Sequence, residues 1–211
     1  RRFMTSSRRA CSRPVRVRGT VAPVSVNPNE ALRGTPMTFE EAAKLDPDEH
    51  RGDIVNGAWI PMTKSTWRHG VILARITVLL GIYLRTRPEF SLASADPGVK
   101  LSRDPDVLRG PDVAVVRVDR VPTGRGVEGW LDGAPDLAVE VVGDGQTVTG
   151  MLKKAAQYLA AGAKAVWVVD PEPRQVAVIT ARGVSVLEVD DTIDGGEAVP
   201  GFSCKVGEFF A

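Results

Sequence analysis

Two apolar segments of the sequence each carry an acidic residue, one at its start and the other in its interior. Asp112 opens the apolar run at residues 113–118, and Glu140 lies inside the run at 137–142. A carboxylate within an apolar strand is costly to bury unless it is paired or binds a metal. If the two runs form neighbouring strands, Asp112 and Glu140 converge at one end of a sheet. Two carboxylates with open positions are the usual protein ligands of Mg²⁺, which also takes waters and phosphate oxygens of a substrate.

A lysine follows in a helix that the sequence predicts over residues 150–161. At about 100° per residue, Lys154 lies near Tyr158 on the border of the apolar face, whereas Lys153 faces solvent. The ammonium of Lys154 can therefore lean towards the sheet, where it would orient an attacking water or neutralise a transition state. The bland alternative stays open, because a strand glutamate and a helix lysine also form purely structural ion pairs.

The elements that position these residues follow from local signals. Thr38 with Glu41 fits a capping box, and Asn56-Gly57 is a strong two-residue hairpin signal. The predicted elements are a helix over 39–45, strands over 53–55 and 58–61, a helix over 67–83, strands over 99–101, 113–118 and 137–142, the helix over 150–161, a strand over 165–169 and a hairpin of 175–180 with 184–189. This order predicts an α/β fold of the mixed α+β kind, with a mixed sheet flanked by helices and accessory hairpins.

The charge distribution divides the chain in two. Residues 1–36 contain eight arginines and one acid, lack periodicity and hold few apolar residues, so we expect a disordered or spuriously translated tail. Residues 37–211 form the predicted domain, which is mildly acidic. An acidic domain argues against a protein that coats duplex DNA with a basic face.

Several classes of protein are excluded by composition. Two cysteines rule out a disulfide scaffold and a multi-cysteine zinc module. No apolar run approaches the roughly 18 residues of a membrane helix, so we expect no membrane association. With Cys204 isolated, a reducing, cytoplasmic location is expected.

Six short motifs in a familiar order resemble a known family. They are Asp-Ile-Val-Asn-Gly at 53–57, His69 at a helix start, Gly-Pro-Asp-Val at 110–113, Pro-Asp-Leu-Ala-Val-Glu-Val-Val at 135–142, Lys-Ala-Ala-Gln-Tyr-Leu-Ala-Ala-Gly at 154–162 and Val-Trp-Val-Val-Asp-Pro at 166–171. Together they resemble the Uma-type restriction endonuclease family of the PD-(D/E)xK nuclease superfamily. The resemblance covers the chain from about Met37 to its C-terminus.

The resemblance implies a restriction-endonuclease-like core and a Mg²⁺-dependent endonuclease acting on DNA, with Mn²⁺ as a substitute. It implies that Asp112 and Glu140 are metal ligands, that Lys154 is the catalytic lysine and that Asp53 is an auxiliary catalytic acid. Gly143-Asp144 and Gly150 depart from the pattern of the family, which is compatible with a weakened activity.

Other functions remain open from the sequence. A non-catalytic module of the same fold would bind nucleic acid or a protein partner. A small-molecule enzyme would use the loop after the Glu140 strand for a phosphate. Cleavage of two strands needs two sites, so a homodimer is expected for the nuclease. His69 is open to two readings, as a structural residue or as a neighbour of the site.

Overall fold

The computed structural model describes residues 27–211, with the side chain of Val148 left out. The described residues form four α-helices: α1 Pro28–Ala31, α2 Phe39–Ala42, α3 Trp67–Leu84 and α4 Val148–Ala160. In the same part of the chain the strands are β1 Gly52–Val55, β2 Ala58–Pro61, β3 Phe90–Ser94, β4 Val99–Ser102, β5 Val107–Arg109, β6 Val113–Arg117, β7 Leu131–Asp132, β8 Leu137–Val141, β9 Ala165–Asp170, β10 Gln175–Thr180, β11 Gly183–Leu187, β12 Thr192–Asp194 and β13 Ser203–Lys205.

The larger sheet has six strands in the order β11-β10-β9-β8-β6-β3. It is mixed, because β8 runs parallel to β9 and antiparallel to β6. Successive side chains of a strand point to opposite faces. Leu137 and Val139 of β8 pack in one apolar cluster with α3, whereas Ala138 packs in another with α4. The two long helices therefore cover opposite faces, and Glu140, two positions after Ala138, faces α4.

A smaller sheet has five strands in the order β2-β1-β5-β4-β7. Its apolar face packs on α2 through a cluster that includes Phe39, Ile54 and Trp59. The chain leaves this sheet at Arg109, the end of β5, and enters the six-stranded sheet at Val113, the start of β6. The short link between them brings residues of both sheets to one place.

The structure confirms the mixed fold and the long elements that were predicted. The helices α3 and α4 and the strands β6, β8 and β9 lie within two residues of their expected bounds. The turn Asn56-Gly57 joins β1 and β2 as expected, with positive φ at both residues (51° and 75°). The capping box of Thr38 and Glu41 is also present.

Two predictions about elements are wrong in detail. The helix expected over 39–45 ends at Ala42, because the N–H groups of Lys44 and Leu45 bond to carbonyls three residues earlier and tighten the chain into a turn. The short strands β3, β5, β7, β12 and β13 were not predicted. They have two to five residues each and lack the long β-branched runs that mark the central strands.

The described residues include a helix before the expected boundary at Met37. Helix α1 lies within the predicted tail, and its Asn29 is buried against the small sheet. The Asn29 side chain accepts a hydrogen bond from Trp59 Nε1 (3.0 Å) and donates one to the backbone oxygen of Arg51 (2.7 Å). The expectation for residues 1–26 lies outside the described residues.

The apolar character of helix α3 was underestimated from the sequence. It is the one helix in the described part of the chain that is long and apolar enough, by length and composition alone, to cross a membrane. Its inner face carries Ile72, Ile76 and Leu80, which are buried against the six-stranded sheet. A core helix of a folded domain passes the same test of length and composition.

Candidate active site

The register between β6 and β8 places the two predicted acids opposite each other. Val113 pairs with Val139 in this antiparallel ladder, so Asp112, one residue earlier, stands opposite Glu140, one residue later. Both carboxylates are largely buried, with 8% of Asp112 and 4% of Glu140 exposed. The condition on which the two acids converge, that these strands are neighbours, is therefore met.

Glu140 is held from α4 by two side chains. Its Oε1 accepts a hydrogen bond from the Tyr158 hydroxyl (2.7 Å), and its Oε2 accepts one from Lys154 Nζ (2.8 Å). Burial raises the pKa of Glu140 to about 7; Lys154 opposes this shift and the charge of Asp112 adds to it. The carboxyl is therefore poised to gain or lose a proton near neutrality.

Lys154 points to the sheet, as its helical angle predicted, while Lys153 is exposed. Its ammonium also contacts the backbone oxygen of Gly110 (3.3 Å) and lies 4.0 Å from Asp53 Oδ2. Burial alone would lower the pKa of Lys154, but the carboxylates of Glu140 and Asp53 outweigh burial and raise it above its ordinary value. The ammonium stays charged at neutral pH.

Asp53 reaches the same place from the small sheet. Its Oδ2 accepts a hydrogen bond from Arg109 Nη1 (2.9 Å) and its Oδ1 accepts one from the backbone N–H of Gly110 (3.1 Å). Gly110 thus touches both Asp53 and Lys154 through its backbone. A Cβ at Gly110 would lie 2.9 Å from the Cβ of Asp96, so this close approach requires glycine.

Asp112 is fixed by two donors. Its Oδ2 accepts a hydrogen bond from the backbone N–H of Val141 (2.6 Å), and His69 Nε2 lies 3.3 Å from the same oxygen. The hydrogen bond to Asp112 raises the pKa of His69, against the opposing effect of its burial. Of the two readings left open for His69, the structure favours the neighbour of the site.

Sequence reasoning missed Asp96 and Arg109. Asp96 follows β3 with a φ of 62°, is half-buried, and has its pKa raised by burial and by the charge of Asp112. Arg109 holds Asp53 and also donates from Nε to the Gln157 side chain of α4 (3.0 Å). The pairing of β5 with β1, which no local pattern of the sequence marks, places Arg109 beside Asp53.

These residues line one cleft of about 380 Å³. Its floor carries Asp53, Asp112, Glu140 and Lys154. The segment 61–66 before α3 and residues of the loop between β8 and α4 also line the cleft. By contrast, Asp136 lies at the opposite end of β8, where Lys164 Nζ is 2.9 Å from its Oδ1.

The donor set of the cleft suits a hard divalent cation. Both hydrogen bonds of the Asp112 carboxylate fall on Oδ2, which leaves Oδ1 without one among the described residues. Burial raises the pKa of Glu140 most and the charge of Asp112 adds to it, and a cation between the two carboxylates would relieve that repulsion. In the described part of the chain, no group of three or more acids, histidines or cysteines is close enough to enclose an ion. Mg²⁺ does not need one, because it usually keeps several waters and takes one or two carboxylates.

The structure thus combines a mixed sheet, acids at the adjacent ends of β6 and β8, and a lysine on the helix that follows β8. The family model described as "Uma2: Putative restriction endonuclease" matches residues 38–207, and the chain belongs to this family. This match confirms the resemblance found in the motifs.

A solved structure has the same fold. It is described as the crystal structure of "a putative nuclease belonging to DUF820" from Anabaena variabilis ATCC 29413. The TM-score is 0.72 with 19% sequence identity, over 83% of this chain and 98% of the other. No protein with a curated description matches this sequence. The nuclease-like fold expected from the sequence is therefore confirmed.

Proposed function

We propose that this protein is a Mg²⁺-dependent endonuclease that hydrolyses phosphodiester bonds of DNA, with Mn²⁺ as a substitute metal. The observation that carries the proposal is the convergence of Asp112, Glu140 and Lys154 on the floor of one cleft, with Lys154 Nζ 2.8 Å from Glu140 and 4.0 Å from Asp53. Family membership supports the same reaction class.

Each residue has a distinct role in this proposal. Asp112 and Glu140 would hold the metal, which would supply Lewis acidity towards the phosphate and a water of lowered pKa. The Lys154 ammonium would neutralise charge that develops on the phosphate and orient the attacking water. Asp53 keeps Lys154 charged and in place. His69 is a positioning residue, because its Nε2 contacts the Asp112 carboxylate and helps to hold it in place.

The test is cleavage of plasmid and oligonucleotide DNA with Mg²⁺, comparing wild type with Asp112→Asn and Lys154→Ala. We expect each change to reduce the rate by about 100-fold or more, the usual cost of losing one electrostatic contact to a transition state. Lys153→Ala is the matched control, because this neighbouring lysine is exposed. Variants that cleave as fast as wild type would end the proposal.

A second candidate is a non-catalytic DNA-binding module of the same fold. One observation favours it: both oxygens of Glu140 already accept hydrogen bonds within the protein, from Tyr158 and Lys154. This candidate requires DNA binding that survives Glu140→Gln, with no metal-dependent cleavage of any DNA form.

A further inference from the structure

A second cavity adjoins the cleft. It measures about 300 Å³, at the lower end of the range of small-molecule sites. It shares part of its lining with the cleft, namely Asp53, Met62, Asp96, Arg109 and Gly110. A group bound in this second cavity would therefore lie beside the phosphodiester that the cleft is proposed to hold.

Two tryptophans line the cavity. The indole of Trp59 lies on Gly52, where an added Cβ would come within 2.8 Å of the ring, and Trp130 lies in the same way on Gly98. All four residues line the cavity. Trp59 is buried and Trp130 is half-buried. The ring of Trp130 packs edge-on against Phe39, with 6.4 Å between the ring centroids. Trp130, the more exposed of the two rings, is therefore the one on which a planar group in the cavity would stack.

Polar side chains, His50 among them, also line this cavity. The Nδ1 atom of His50 is buried and has no hydrogen-bond partner among the described residues. The half-buried carboxylate of Asp96 and the guanidinium-bearing Arg51 line the same cavity. An aromatic wall with a few polar groups at its edge is the chemistry that recognises a nucleobase, by stacking on its face and hydrogen bonding to its edge.

We propose that this tryptophan cavity, lined by Leu45, His50, Trp59, Asp96 and Trp130, receives one unpaired nucleobase of the DNA substrate next to the phosphodiester in the cleft. The inference rests on the proposed nuclease function and names its substrate class. Extruding a base from a duplex costs a few kcal/mol, and least where the base is mismatched or single-stranded. The substrate is therefore DNA with an unpaired nucleotide at the cleavage point, rather than a fully paired duplex.

The test uses oligonucleotides that carry a single 2-aminopurine, a fluorescent base that stacking on tryptophan quenches. Binding is measured with the full chain in EDTA, so that metal-dependent cleavage does not consume the probe, and then in Mg²⁺. We expect quenching with single-stranded and mismatched DNA. We also expect these forms to bind at least about fivefold more tightly than the paired duplex, the low end of base–aromatic stacking.

Ala43→Phe is the variant that fills the cavity, because Ala43 lines it at the end of α2 without touching the cleft. We expect this variant to lose the quenching and the fivefold preference. Ala181→Phe, in the exposed turn between β10 and β11, is the matched control. We expect His50→Ala to reduce the quenching and the preference for unpaired DNA as well. It replaces Ala43→Phe if thermal melting shows that Ala43→Phe does not fold.

The outcomes separate the two proposals. Base quenching that Ala43→Phe abolishes, without cleavage of any DNA, would keep the tryptophan cavity as a base site and end the nuclease proposal. Cleavage of paired duplex at a rate unaffected by Ala43→Phe would keep the nuclease and overturn the base site. Equal binding of paired and unpaired DNA by the wild type would also overturn the base site.

Discussion

The buried pair of Glu140 and Lys154 makes the stability of this protein depend on pH. The pKa of Glu140 is about 7 in the folded protein against 4.5 for an ordinary glutamate. A raised carboxyl pKa contributes stability that is present in full below the unfolded value and is lost as the pH rises to the folded value. Lys154 behaves differently, because its raised pKa contributes stability that persists until the pH exceeds 10.5, its ordinary value. Around neutrality, Lys154 therefore limits the cost of ionising Glu140.

Replacing Lys154 with methionine should destabilise the protein more at high pH than at low pH. Without its cation, the pKa of Glu140 rises further, so the variant loses more free energy of unfolding as the pH passes 7. We expect a loss of about 3 kcal/mol at about pH 8.5, the cost of breaking a buried pair, and a smaller loss at about pH 5.5. Urea unfolding in EDTA at the two pH values measures both.

The neighbouring lysine provides the control for this pH dependence. Lys153→Met should change the free energy of unfolding by less than about 0.5 kcal/mol at either pH, because the side chain is exposed. A Lys154→Met variant that is destabilised equally at both pH values would contradict the assigned role of the pair.

Some residues of the candidate site could be predicted from the sequence and others could not. The helical angle separates Lys154 from Lys153, and the apolar surroundings single out Glu140. Arg109 and Asp96 were missed because their placement depends on long-range geometry. Arg109 meets Asp53 because β1 pairs with β5, with Ile54 opposite Leu108, and no local pattern encodes that pairing.

At the scale of the elements, three connections bring the cleft together. The antiparallel register of β6 with β8 aligns the two acids, and the crossover from β8 through α4 to the parallel strand β9 returns Lys154 over Glu140. The hairpin of β1 and β2 delivers Asp53. A slip of one residue in the β6–β8 register would turn one of the acids to the opposite face of the sheet.

Replacing glycine with alanine should change the free energy of unfolding in opposite directions at two positions, Gly57 in the hairpin turn and Gly70 in helix α3. Gly57→Ala should reduce the free energy of unfolding by about 1–2 kcal/mol, because Gly57 has a φ of 75° and alanine is strained there. Gly70→Ala should increase it by about 0.5–1 kcal/mol, because Gly70 lies within α3 and an added Cβ would meet nothing within 4 Å. Thermal or urea unfolding of both variants measures the pair, and a loss at Gly70 would contradict the account.

The elements that carry long apolar or strongly periodic patterns were predictable, and the short ones were not. Strand β5 has three residues, Val107–Arg109, and is a strand only because β1 and β4 lie on either side of it. Strand β3 follows the turn after α3 and pairs with β6 along its whole length. Tertiary pairing, rather than local propensity, therefore fixes β5 and β3, whereas the Asn56-Gly57 turn marks the β1–β2 hairpin of the smaller sheet locally.

At the scale of the whole molecule, the cleft forms where the two sheets meet. The link at Gly110–Asp112 joins them, and Arg109 ties the small sheet to α4 through Gln157. The small sheet also supplies the tryptophan cavity. The stability of the small sheet also depends on the segment that was predicted to be a tail, because Asn29 accepts a hydrogen bond from Trp59. This contact could not be predicted from the sequence, because α1 has only four residues.

Asn29→Ala should therefore destabilise the full chain. The change leaves Trp59 Nε1 without its hydrogen-bond partner, whereas the Arg51 backbone oxygen loses one donor and keeps the N–H of Met62 (2.8 Å). We expect a loss of about 1–3 kcal/mol in the free energy of unfolding, the cost of unsatisfied buried polar groups. Glu30→Ala, whose side chain is exposed in the same helix, should change it by less than about 0.5 kcal/mol. Equal effects would show that the domain begins after α1.

The most direct test of the account is calorimetric binding of Mn²⁺ or Mg²⁺ to the wild type, Glu140→Gln and Asp112→Asn proteins, with and without an oligonucleotide. We predict one ion per chain with a Kd of about millimolar or tighter in the wild type and no such binding in either variant, since Mg²⁺-type sites depend on their one or two carboxylates. Asp132→Asn, an exposed acid of β7, should bind as the wild type does. Metal binding indifferent to Glu140 and Asp112, or absent even with DNA, would contradict the proposed metal-dependent nuclease.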